Sequence, residues 1–223
     1  MIMMKEAMEL RHTVRKYTNQ KISQELLDKI NERLDDNNKK FGLSMKLMID
    51  NTSAFGPFFK MILAKGVRNY IVLVGENTED VDEKLGYCSS ELMLFVQTLG
   101  LNSWWVGGTF NKKGVKKMLG MDEMMKMVGI VAIGYGVNQG VPHKSKSIED
   151  ISRYNGEIPT WFTSGVQAVL LAPTALNKQA FMIEGEGKKV KLVCNSGSFA
   201  NVDLGIAKHH FELGAGKENF EWA

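Results

Sequence analysis

Near the start of the chain, Arg11-His12-Thr13-Val14-Arg15-Lys16-Tyr17 sets two guanidinium groups four residues apart around a hydroxyl. On a helix Arg11 and Arg15 share one face; if the helix ends first, they flank a turn that carries the Thr13 hydroxyl. Either way, forked donors and a hydroxyl converge as phosphate recognition requires. A solvated basic turn accounts for the same residues. In Gly100-Leu101-Asn102-Ser103-Trp104-Trp105-Val106-Gly107-Gly108-Thr109, the paired glycines let backbone N–H groups approach a planar ligand closely, just ahead of an expected helix. The order is neither GxGxxG nor a Walker lysine, which excludes dinucleotide and nucleoside-triphosphate loops of those kinds. Pro142-His143-Lys144-Ser145-Lys146 puts two lysines on a polar connection, where solvation is the simpler account. In Ala172-Pro173-Thr174-Ala175-Leu176-Asn177-Lys178-Gln179-Ala180-Phe181, Pro173 restricts Ala172, and Thr174 or Asn177 can present a polar side chain from a tight turn. An ordinary turn entering a strand reads equally from it.

Other residues carry weaker chemistry. Met118, Met121, Met124, Met125 and Met127 lack an accompanying Cys or His, so core filling or an adaptable apolar surface is expected, and no metal site. His209 and His210 are adjacent, about 100° apart on a helix, and cannot form an i, i+4 metal pair; they read as structural or solvated. Trp104-Trp105 reads as a substrate wall or as packing.

These residues need elements to position them. Leu26, Leu27, Ile30 and Leu34 fall at helical spacing behind a Ser23 N-cap. Residues 46–49, 70–74 and 128–133 are apolar runs of strand length. From Val81, the series Leu85, Ser89, Leu92, Phe95, Val96 and Leu99 gives a long apolar helix that Gly100 caps. Residues 112–119 read as a short helix exposing Lys112, Lys113, Lys116 and Lys117. Residues 138–147 have little to bury and read as a surface connection. A second block follows: a helix at 161–171, strands at 181–183 and 190–193 joined by a hairpin turn at 184–188, and a final helix through Val202, Ile206 and Leu213 stopped by Gly214. Segments 91–101 and 207–216 share a faint echo, an apolar helix ending in Leu-Gly or an equivalent, too slight to establish a repeat.

Composition bounds the rest. In 223 residues, hydrophobic residues make up 44% and charged residues 24%, which fits one large or two small globular domains and excludes disorder. Lys and Arg number 28 against 25 acidic residues, too even for a nucleic-acid groove. Two isolated cysteines build neither a disulfide framework nor a zinc site, and no apolar run suits a signal peptide or a membrane span. A cytoplasmic protein with no membrane and no nucleic-acid partner is expected.

Taken together, the four segments resemble the nitroreductase family of FMN-dependent oxidoreductases. Arg11 to Tyr17 is similar to the family's R-x-[ST]-x-[RK]-x-[FY] signature. Gly100 to Gly108 resembles its stretch after the long core helix, Gly134-Tyr135-Gly136 with Lys144 and Lys146 its closing segment, and Ala172 to Phe181 its [SA]-P-[ST]-x-x-N-x-Q-P-[WF] motif, with Ala180 in place of proline. In the family that last motif precedes the first core strand; here residues 35–44 hold that place without it, and it follows the usual C-terminus.

The resemblance implies an α+β, nitroreductase-like FMN-binding fold, with a central, mostly antiparallel sheet flanked by helices. The displaced motif implies two unequal, pseudo-symmetric halves: 1–150 carrying the phosphate-binding segments, and 151–223 as an abbreviated second half that completes the flavin site in cis. Arg11, His12 and Thr13 would bind the phosphate, with Lys144 and Lys146 closing over it. Arg15 would lie near the flavin N1/O2 edge, Gly107 and Gly108 would face N5, and Pro173, Thr174 and Asn177 would line the isoalloxazine. Gly107 stands where the family has an acidic residue. No side chain is expected as a catalytic nucleophile and no metal is needed; NADH or NADPH would reduce FMN, which would then reduce a small electrophile such as a nitroaromatic or a quinone, by ping-pong kinetics. The alternative is an FMN-binding storage or sensing module with little turnover, and a third reading is a structural α+β protein. Either a monomer or a homodimer is compatible. As an exposed charge, Arg11 is expected to matter more for FMN than for stability.

Overall fold

Apolar side chains at 70, 72 and 74 and at 71 and 73 alternate across a strand, so a run apolar at every position must be buried on both faces. The computed structural model, which describes residues 3–56, 64–195 and 197–223, places this run at the centre of a first sheet. Its strands are β1 (Lys46–Met48), β2 (Asn69–Glu76), β3 (Asn102–Val106) and β4 (Met125–Gly134), in the order β1-β2-β4-β3, all antiparallel. Tyr70, Val72, Val74, Ile130 and Ala132 pack to one side with Phe55, Trp104 and Met127. Ile71, Leu73, Val131 and Ile133 pack to the other.

Two helices cover that second side. In α2 (Gln24–Phe41), Ser23 Oγ accepts the Leu26 N–H, Leu27, Ile30 and Leu34 face inward, and Gly42 at φ 65° closes the end. In α3 (Val81–Thr98), Leu85, Leu92, Met93 and Val96 are fully buried, and Gly100 turns the chain back at φ 79°. The short α1 (Met4–Leu10) packs on α3, and α4 (Lys112–Leu119) runs from β3 towards β4, buried at Val115.

The second block has its own sheet and core. Its strands are β5 (Ser152–Asn155), β6 (Phe181–Glu186), β7 (Lys189–Cys194) and β8 (Glu221–Trp222), paired in chain order. β6 and β7 form an antiparallel hairpin, and β5 and β8 flank it in parallel. The hairpin turn is tighter than the sequence suggests: both strands continue to Glu186 and Lys189, leaving Gly187, at φ 55°, and Lys188 as the loop. With α5 (Ile148–Ile151), α6 (Thr160–Leu170) and α7 (Ala200–Ala215), these strands enclose Phe162, Val166, Ile183, Val190, Phe211 and Phe220.

The two blocks meet where α3 crosses α7. A Cβ at Gly86 would lie 2.1 Å from the Val202 carbonyl oxygen, and one at Gly205 would lie 2.0 Å from that of Glu83. Glycine on both helices therefore sets how closely the backbones approach. Gly214 does not stop α7, which runs to Ala215 and is closed by Gly216 at φ 78°. It is instead a contact position, where a Cβ would meet Ser164 O and Ala168 Cβ at 2.5 Å. The echoing segments 91–101 and 207–216 thus begin on the C-terminal halves of the two crossing helices. Among the described residues, no helix is long and apolar enough to cross a membrane.

Candidate functional site

Helix α1 ends at Leu10, so Arg11 and Arg15 share no helical face; the chain from Arg11 to Tyr17 is extended. It lies along the outer edge of β3, where Thr13 bridges Ser103 and the Val14 N–H donates to the Ser103 carbonyl at 3.1 Å. Tyr17 pins its far end, its hydroxyl donating to Ala132 O at 3.1 Å. Arg15 is exposed and sits 5.5 Å over the Trp104 ring, a cation–π contact that fixes its direction.

Arg11 differs from the surface charge expected. It is 3% exposed, and its Nε has no hydrogen-bond partner. Burial pulls its guanidinium down to about 10, and no carboxylate offsets that effect. Its electrostatic neighbours are His12 and His210, themselves shifted downward: His12 by burial, then by Arg11 and His143, and His210 by burial, then by His209 and Arg11. A buried cation whose electrostatic neighbours are imidazoles, with no carboxylate among them, is a strong attractor for a multivalent anion.

Below Arg11, the Ser90 hydroxyl on α3 lies 2.8 Å from His209 Nδ1 and 3.0 Å from His210 Nδ1 on α7. His210 Nδ1 also lies 3.0 Å from the Ile206 carbonyl, which can only accept, so Nδ1 carries the proton. His210 Nε2 is then a bare acceptor, buried and unpartnered. Both histidines are structural, and neither is solvated.

The connection at 138–147 brings the basic residues against the loop after α6. Gly140 packs on His12: a Cβ there would lie 2.8 Å from His12 Cβ. His143 Nε2 lies 2.9 Å from the Leu170 carbonyl, to which the Ser145 hydroxyl also donates at 3.1 Å. Lys144 lends its carbonyl to Asn177 Nδ2 at 2.8 Å. Lys146 is bound twice to Gln179, its N–H donating to Oε1 at 2.8 Å and its ammonium to the carbonyl at 2.9 Å. That ammonium retains two further donors.

The loop following Pro173 is strained. Leu176, Asn177 and Gln179 have φ of 54°, 54° and 45°, left-handed values that cost non-glycine residues roughly 1–3 kcal/mol each. Bonds hold it there: the Asp203 carboxylate accepts the Ala175 N–H, Thr174 Oγ1 accepts the Gln179 N–H, and Gln179 is 1% exposed. Leu176 at the tip is 90% exposed.

Gly107 and Gly108 lie at the end of β3. Gly107 is four residues beyond Ser103, the partner of Thr13, which is roughly 13 Å along an extended strand. A Cβ at Gly107 would lie 2.6 Å from the Phe199 ring, while Gly108 is open. The geometry therefore joins Arg11, His12, Thr13, Lys144, Lys146, Thr174 and Asn177 through a continuous set of contacts. Arg15, Gly107 and Gly108 are strung along β3 beside them. Gln179, Asp203, His143 and Phe199 were given no role by the sequence, although Gln179 and His143 stood in two of the four segments, and His210 read only as structural or solvated. Among the described residues, no group of three or more His, Cys, Asp or Glu side chains could hold a metal ion.

A family model described as "Putative TM nitroreductase" matches residues 3–215. No curated protein matches the chain. Among solved structures, a putative nitroreductase from Thermotoga maritima is similar at 22% identity and TM-score 0.71, over 97% of this chain and 85% of that one. A putative nitroreductase in complex with FMN from Exiguobacterium sibiricum matches at 17% identity and TM-score 0.55, over 67% of this chain and 96% of that one. A putative NADH oxidase from Clostridium acetobutylicum matches at 16% identity and TM-score 0.52, over 65% and 96% respectively. The last two are covered almost whole by about two thirds of this chain.

Proposed function

The chain belongs to the nitroreductase family, and from that premise we propose that it is an FMN-dependent oxidoreductase that takes electrons from NADH or NADPH and passes them to a nitroaromatic, a quinone or a similar small electrophile. The observation that carries the cofactor assignment is Arg11, a buried guanidinium with an unpartnered Nε and no carboxylate to neutralise it. The FMN phosphate supplies the missing charge, and the chemistry of the surrounding donors fits it.

In this reading, Arg11, His12 and the Thr13 hydroxyl hold the phosphate. Lys144 and the remaining donors of Lys146 approach it from the connection. Arg15, steadied on Trp104, places a cation where negative charge accumulates on the reduced ring, and so favours reduction. Backbone N–H groups at Gly107 and Gly108 approach the ring edge, while Pro173, Thr174 and Asn177 border its face from the strained loop. When bound, FMN accepts a hydride from the nicotinamide and hands reducing equivalents to the second substrate. No side chain has to act as nucleophile.

Residues 151–223 serve as an abbreviated second half that completes this one site within the chain. Two sheets, two crossing helices and interlocked loops support this reading, as does the FMN-complexed neighbour, matched nearly whole by two thirds of this chain.

Phe199 favours a second reading. Its ring lies against the Gly107 turn, where a substrate would have to approach, as in a flavin store or sensor with little turnover. One experiment separates the two. Protein reconstituted with FMN is mixed anaerobically with NADH or NADPH, and the flavin absorbance is followed before and after a quinone is added. Bleaching followed by recovery is expected. Bound flavin that neither nucleotide bleaches leaves the storage reading, and a protein that binds no flavin refutes both.

A further inference from the structure

Helix α4 carries Lys112, Lys113, Lys116 and Lys117; Lys113 and Lys117 lie opposite the buried Val115, and Lys112 and Lys116 on its flank. Five lysines elsewhere are paired: Lys29 with Glu25, Lys84 with Asp80, Lys126 with Asp82, Lys208 with Glu83 and Lys217 with Glu212. Among the described residues, none of the four α4 ammonium groups has an ion pair or a hydrogen bond.

Half of this placement works against the helix. Lys112 and Lys113 occupy the first turn, where the helix dipole disfavours cations, and that turn has no acidic residue. Burial, then Lys116 and Lys126, hold the Lys112 ammonium below its usual range. Lys116 and Lys117 sit in the last turn, where the dipole favours them, but the first-turn pair gains nothing from the helix, and all four ammonium groups remain available to an acidic surface outside the chain. Beside them stand two exposed methionines, Met118 at 40% and Met124 at 75% exposure, which are adaptable apolar contacts.

The helix begins four residues after Gly108. We propose that the lysine face of α4 docks an acidic one-electron carrier protein, which delivers electrons to the flavin bound beside Gly107 and Gly108. The proposal rests on the flavin reading above. Charge complementarity selects an acidic partner, and the convex face selects a protein over a dinucleotide, which needs a concave site. A small, steered contact flanked by methionines suits a transient redox encounter. Two carriers each lose one electron, and the flavin gains both together with two protons from water.

The test uses FMN-loaded protein and an acidic [2Fe–2S] ferredoxin, pre-reduced and freed of excess reductant. Flavin bleaching is followed by stopped flow at rising salt, in parallel with bleaching by NADH and NADPH. Replacing all four lysines by glutamine should slow the ferredoxin reaction about tenfold or more and remove most of its salt dependence. The nucleotide reactions should be unchanged, and the four-arginine variant should keep the native ferredoxin rate. Circular dichroism checks that the variants fold; if the glutamine form does not, loss of salt dependence is sought in the single variants Lys113→Gln and Lys117→Gln. The proposal is overturned by a native protein that ferredoxin does not reduce, by equal rates in native and variant forms, or by a parallel fall in the nucleotide rate, which would assign the lysines to the dinucleotide. A native protein that retains no flavin before any carrier is added counts against the flavin reading instead.

Discussion

A guanidinium that is 3% exposed, with no carboxylate nearby, is in tension with its surroundings, and that tension predicts the effect of removing it. Arg11→Met keeps most of the volume and removes the buried charge, so the flavin-free protein should become more stable, by about 1–2 kcal/mol. FMN should bind roughly ten- to a hundredfold more weakly, the value of one charge-assisted bond at about 1.5–3 kcal/mol. Thermal unfolding and FMN titration of the same variant check both; a less stable variant with native affinity would sink the phosphate assignment. The sequence identified the Arg11 to Tyr17 segment but not its environment, because burial here comes from α3 and α7, which are distant in sequence. The same holds for His209 and His210. Adjacency excluded a metal pair, yet only the crossing helices make them interior. Burial, then Lys217, pulls His209 down to about 3, and His210 lies well below its usual range. Unfolded histidines take up protons near pH 6.5 while the folded ones do not, so stability is fully present above about pH 6.5 and falls as the pH drops towards 3. By pH 5 the loss should be about 2 kcal/mol for His209, with His210 acting in the same direction. Unfolding midpoints in urea at pH 7 and pH 5 measure it, and His209→Gln with His210→Gln should flatten the difference.

Between elements, the decisive contact is the crossing of α3 and α7, and its determinants are atoms that are missing. Gly86→Ala drives a methyl towards the Val202 carbonyl, and a clash with backbone cannot be relieved by turning a side chain. We expect a loss of about 3 kcal/mol or more, at the upper end of overpacking, read as a drop in urea midpoint. Gly108→Ala meets nothing within 4 Å and should leave stability nearly unchanged, which controls for the intrinsic cost of replacing glycine. Helices α2 and α3 were legible because each repeats its apolar period over many residues, and β2 and β4 because each is an unbroken apolar run of strand length. Strands β5 and β8 were not: four and two residues carry no readable period, and both are set by pairing with the β6–β7 hairpin. Strand β3 was hidden for another reason, since Trp104 and Trp105 read as a substrate wall or packing and the flanking glycines as a ligand-facing backbone, while its partner residues on β4 lie 24 to 32 positions away. Gly214 was misread as a stop because a helix-ending glycine and a close-contact glycine look alike in one dimension.

For the molecule as a whole, the proposal of one flavin site per chain predicts stoichiometry. Reconstituted protein should hold one FMN per polypeptide and elute as a monomer on gel filtration; two flavins per chain would refute the arrangement. The order of motifs suggested the second half proposed above, because the Pro173 to Asn177 segment stood beyond the place where it was expected. What no ordering could give was the interlock itself, in which Gln179 accepts the Lys146 N–H and one ammonium donor, and Asn177 Nδ2 donates to the Lys144 carbonyl. The short tether between β4 and α5 has a further consequence. Partners joined by a brief covalent link meet at a local concentration in the millimolar range or above, whatever the concentration of the protein. Encounter of the two blocks is then a first-order event. Diluting the protein to nanomolar levels should leave their contact intact, whereas a site shared between separate subunits would come apart.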